Sequence, residues 1–122
     1  RVLGGNLALA GDAVLDLEVG AKDGEGEDIV PVTLDNRFAS LTTTATVENP
    51  VTIAITVPEG VELHRGTYRL IEWVPGVTVT GLTAEAFELA MPYYAGGEVA
   101  VSASGLDLIV TRVSKGTVLV VK

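Results

Sequence analysis

Four groups of side chains in this 122-residue chain are of types that could do chemistry. Asp23, Glu25, Glu27 and Asp28 crowd into one glycine-rich stretch. Several carboxylate oxygens on a flexible loop are what Ca²⁺ takes as ligands, although the spacing matches no EF-hand. His64 is the sole histidine, flanked by Glu62 and Arg65. A catalytic triad would need a nucleophile and an orienting acid, and a zinc site would need further ligands. Neither stands at a recognisable spacing, so His64 reads as a surface turn residue. Trp73, Tyr93 and Tyr94, with Tyr68, are the residues from which a sugar-binding platform could be built. Tyr68 and Trp73 are five apart and Tyr93 and Tyr94 adjacent, so a regular strand would split each pair between its faces. Asp12, Asp16 and Glu18 share one face of an alternating run, the residue types of a glycosidase pair but with no partner strand to fix a distance. Each group also has a plainer reading: a solvated charged turn, core aromatics, or a solvated strand face.

Composition sets the frame for these residues. Apolar residues make up 48% of the chain and charged residues 20%, which predicts a packed core, and 122 residues fit a single β domain spanning 1–122. The formal charge of −8 points away from nucleic acid and from anionic membrane surfaces, since both need a basic face. There is no cysteine, so thiolate metal sites, disulfides and cysteine nucleophiles are excluded. No apolar run approaches the length of a membrane-spanning helix. The chain starts at Arg1 with residues that already look like strand, and we expect a fragment or processed part of a longer chain.

The elements that must position the groups are strands. Residues 2–10 read as a short strand broken by Gly4-Gly5, and Gly11-Asp12 as a tight corner. From Asp12 to Val19 the chain alternates, with Ala13, Leu15, Leu17 and Val19 on one face. The acidic loop follows, then a strand over residues 29–34 in which Pro31 predicts an edge or a bulge. Residues 38–47 and 51–57 alternate aliphatic with threonine (Thr42, Thr44, Thr46, Thr52, Thr56), and their closeness predicts a hairpin. Gly66 to Trp73 is a turn glycine followed by aromatic and β-branched residues, the central strand of the C-terminal half. Its alternation sets Tyr68 with Leu70 and Ile71 with Trp73 on opposite faces. Residues 83–91 hold helix formers in density, enough for one short turn. Residues 98–103, 106–113 and 117–121 complete about ten short strands. The last, with Val118, Leu119, Val120 and Val121, is apolar on both faces and reads as an assembly edge.

In order along the chain, Gly4-Gly5-Asn6-Leu7-Ala8-Leu9-Ala10-Gly11, Asp28-Ile29-Val30-Pro31-Val32, Gly66-Thr67-Tyr68-Arg69-Leu70-Ile71 and Ser104-Gly105-Leu106-Asp107-Leu108-Ile109-Val110-Thr111 stand out. Together they resemble the strand repeats of autotransporter-type passenger proteins. The resemblance implies an all-β fold of right-handed β-helix-like rungs leading into a β-sandwich-like cap, on a secreted or cell-surface bacterial protein. It is crossed by two departures: Asn-Thr-rich rungs are few, and no membrane barrel follows within the chain. On this reading the protein is not an enzyme but a non-catalytic structural module, a stalk, cap or self-assembling building block. Its partners are flanking repeats or copies of itself, and no cofactor is expected beyond Ca²⁺ on the acidic loop. The alternative is a carbohydrate-binding β-sandwich module that uses Trp73, Tyr93 or Tyr94 to bind glycans.

Overall fold

The computed structural model describes residues 1–114. The expected edge at Val118, Leu119, Val120 and Val121 lies outside the described residues. What is described is all-β, apart from one 3₁₀ turn at Ala84–Ala86. The strands are β1 (Val2–Leu3), β2 (Leu7–Leu9), β3 (Val14–Glu18), β4 (Val32–Leu34), β5 (Ser40–Thr43), β6 (Val51–Thr56), β7 (Gly66–Trp73), β8 (Thr78–Thr80), β9 (Phe87–Ala90), β10 (Ala95–Val101) and β11 (Gly105–Val113).

They form three sheets, ordered β1-β4-β7-β11-β10, β2-β5-β8 and β3-β6-β9. The chain therefore visits the three sheets in the same cyclic order three times. Successive visits pair parallel and in register: Leu3 with Leu34, Leu34 with Trp73, Leu7 with Leu41, Leu41 with Val79, Leu15 with Ile53, and Ile53 with Leu89. Each apolar residue thus stacks on an apolar residue of the next pass. Leu34, Leu41 and Ile53, in the middle pass, are fully buried.

The hairpin expected from residues 38–47 and 51–57 is absent. β5 and β6 lie in different sheets, and the short connection between them closes only as a bridge from Thr46 to Asn49. The reason is in the ladders. As a hairpin these two runs would satisfy one side of each other, whereas here each is a central strand with a parallel partner on both sides. The threonines are divided accordingly: Thr42 faces outward on one sheet and Thr52 on another, while Thr43 points inward and is buried. Pro31 also sits differently from expectation. The strand begins after it, at Val32, and β4 is flanked by β1 and β7 rather than lying at an edge. Of the helix formers in residues 83–91, only the 3₁₀ turn is helical and the rest is β9.

The C-terminal strands reverse direction. β11 pairs antiparallel with β7, and β10 antiparallel with β11, so both extend the first sheet instead of forming a separate layer. A bulge marks the junction. Leu106 opposes Ile71 and Asp107 opposes Arg69, which leaves Leu70 as the extra residue of β7. The bulge resets the alternation, so Leu70, Ile71 and Trp73 all enter one core cluster with Tyr68 packed against it. The two-faced strand expected from regular alternation is thereby corrected: β7 has one core face, and its outward residues are Arg69 and Glu72, which pair with each other at 3.4 Å.

Candidate functional site

Two depressions lie where three separate stretches meet: the acidic loop, the residues before β7, and β7 with β11. They measure about 250 and 490 Å³, adjoin, and share Gly20, Asp28, Thr67 and Tyr68.

The acidic loop is held by its own backbone. Asp23 N–H donates to the Glu27 carbonyl at 2.9 Å, and Ile29 N–H to the Ala21 carbonyl at 2.9 Å. The Asp23 carboxylate accepts from the N–H groups of Glu25 (2.8 Å) and Glu27 (3.0 Å), an Asx-type turn that fixes the loop tip. Those two donors hold the Asp23 carboxyl below its ordinary range, because they favour the charged form. Across the loop neck Lys22 pairs with Asp28, and that hydrogen bond raises the Lys22 ammonium above its ordinary value. The four acids of the calcium candidate have distinct partners. Asp23 caps backbone, Asp28 holds a lysine, and Glu25 and Glu27 project into solvent. Among the described residues, no three acidic, histidine or cysteine side chains are grouped as a metal ion would require.

The second wall is the stretch before β7. Leu63, 2% exposed, anchors it in the core. The N–H of His64 donates to the Tyr68 hydroxyl at 3.0 Å, which ties the wall to the floor. His64 itself is a surface residue, its Nε2 at 3.8 Å from Glu62. Behind the floor, Arg69 Nε donates to Asp107 at 2.5 Å, and its Nη1 to the Ser104 carbonyl at 3.1 Å.

The three residues of the alternative sugar platform are not gathered on one surface. Trp73 is 6% exposed and its indole N–H donates to the Ala103 carbonyl at 3.0 Å, so its ring belongs to the core. Tyr93 is 94% exposed and stands edge-on to Tyr94, with centroids 5.4 Å apart and planes at 89°. Neither tyrosine lines the depressions. Asp16 and Glu18 are exposed on β3, and Asp12 occupies the preceding turn with φ of 70°. Sequence spacing could not gather Lys22, Arg65 and Tyr68. They are more than forty residues apart at the extremes, and only the return of the chain to the same sheet on each pass brings them together.

Comparison with known proteins returns no match among family models, curated proteins or solved structures.

Proposed function

We propose that the chain is a non-catalytic structural module, a short β-helix whose three passes are rungs and whose β10–β11 hairpin closes one side. The supporting observation is the in-register parallel stacking of three successive passes, with Leu3, Leu34 and Trp73 in one column and Leu15, Ile53 and Leu89 in another. Such a column continues as long as further strands are supplied, and each new rung covers the apolar residues of the one before.

The first pass presents that opportunity. β1, β2 and β3 are each the outer strand of their sheet, so three unpaired backbone edges lie at one end of the molecule. Leu3, Leu7 and Leu15 are only part-buried there, while their column neighbours Leu34, Leu41 and Ile53 are fully buried. Like rungs, from a flanking segment or a second copy, would complete both the ladders and the core. At the opposite end the first sheet is already covered, because β11 occupies the free side of β7. β8 and β9 remain outer strands of the other two sheets. On this reading the chain is a stalk segment or cap, and the resemblance to autotransporter-type passengers suggests a secreted or cell-surface setting.

Sedimentation velocity over a concentration series tests the assembly. The chain should self-associate, and Leu15→Glu, which places a charge at the part-buried end of its column, should return it to monomer with β7 and β11 still folded. A wild-type chain that stays monomeric at every concentration contradicts the reading.

A further inference from the structure

The larger depression is lined by both signs of charge, Lys22 and Arg65 with Asp28 and Glu62. Lys22 and Arg65 line it, and Arg69 lines the one beside it, so three of the eight Lys and Arg residues of a chain with net charge −8 converge on one surface. Lys22 is already paired with Asp28, and Arg69 with Asp107 and Glu72. Arg65 forms no ion pair among the described residues and is exposed. At about 490 Å³ the groove falls within the roughly 300–1,000 Å³ typical of small-ligand sites.

We propose that this groove binds a carboxylate-bearing saccharide, with Arg65 taking the carboxylate and the Lys22–Asp28 pair and Tyr68 taking ring hydroxyls. The chemistry of the walls selects this class. A free guanidinium offers a planar fork that matches a carboxylate. Asp28 and Glu62 line the same groove as acceptors, and they oppose a phosphate dianion or a nucleic-acid backbone more strongly than a single carboxylate. They satisfy sugar hydroxyls, which both donate and accept. Tyr68 also lines the groove, and its hydroxyl is already fixed by the His64 N–H. All of these lining residues belong to one chain, so the groove needs no second copy to be complete.

Titration of the full chain with trigalacturonate, followed by calorimetry and amide chemical shifts, tests this. We expect saturable binding with shifts at Lys22, Arg65 and Tyr68, and no binding of neutral maltotriose. Arg65→Ala should weaken binding about tenfold or more with an unchanged melting midpoint. Lys22→Ala should weaken it less. The proposal is overturned if trigalacturonate does not saturate at millimolar concentration. Equal binding by Arg65→Ala, equal binding of maltotriose or inorganic phosphate, or shifts centred on Tyr93 would overturn it too.

Discussion

The indole N–H of Trp73 donates to the carbonyl of Ala103 at 3.0 Å, across the connection between β10 and β11. One residue along, the Trp73 backbone N–H donates to the Ser104 carbonyl at 3.0 Å, and Arg69 reaches the same carbonyl at 3.1 Å. Strand β7 thus fastens the C-terminal hairpin from both its core face and its outer face. Trp73→Ala should destabilise the fold by about 3–5 kcal/mol, because it removes a buried ring and leaves a cavity. Trp73→Phe keeps most of the ring but orphans the Ala103 carbonyl, and should cost about 1 kcal/mol for the lost hydrogen bond alone, with any packing loss added. Urea unfolding of the two variants checks the order and the gap.

Gly81 turns the chain with φ of +77°, and a Cβ there would stand 2.3 Å from the Thr43 carbonyl oxygen on the pass beneath. Gly26 has a similar φ of +82° but open space around it. Both alanine variants suffer the left-handed backbone penalty of about 1–2 kcal/mol. Only Gly81→Ala must also push two passes apart, so its loss of stability should clearly exceed that of Gly26→Ala. Thermal unfolding of the pair separates backbone strain from stacking.

Thr43 is buried with its hydroxyl unpartnered among the described residues. It stacks on Leu9 within the β2–β5 ladder, in an apolar setting that gives the oxygen nothing to bond. Thr43→Val replaces the hydroxyl with a methyl of similar shape and should stabilise the protein by about 1 kcal/mol. A rise in the chemical unfolding midpoint with unchanged slope is the expected result.

The acidic loop should loosen at both ends of the pH scale. Asp23 is held below its ordinary value by the Glu25 and Glu27 N–H groups, so what it contributes is present above about pH 4 and is lost as pH falls through its lowered folded value. Lys22 is raised by its hydrogen bond to Asp28, so its contribution is present below its ordinary value of 10.5 and is lost as pH rises through the folded one. Both groups are exposed, and the effect is local. Amide exchange at Glu25 and Glu27, corrected for its intrinsic pH dependence, should accelerate in acid, and Asp23→Ala should reproduce that acceleration at neutral pH.

The alternation of Leu15, Leu17 and Val19, the break at Gly4-Gly5 and the strand Gly66–Trp73 were legible in the sequence, because a strand face and a turn are local properties. Which strand lies beside which was not. Residues 38–47 and 51–57 satisfy the pattern of a hairpin and of two central parallel strands equally well, since period-two alternation says which side is buried and nothing about neighbours. The bulge at Leu70 was hidden for a related reason: it depends on the register against Leu106, more than thirty residues away. The burial of Trp73 was legible as that of a core aromatic on an interior strand, but the partner of its N–H, the Ala103 carbonyl, is supplied only by the fold. The groove at Tyr68 was illegible, since its walls come from different passes.

The account turns on the first pass offering unpaired strand edges to like rungs. Amide hydrogen exchange of the chain at low and high concentration measures this residue by residue. At low concentration the amides of β2 and β3 should exchange faster than those of β5 and β6, which have ladders on both sides, and at high concentration they should become protected. Equal and concentration-independent protection of β2, β3, β5 and β6 would contradict it.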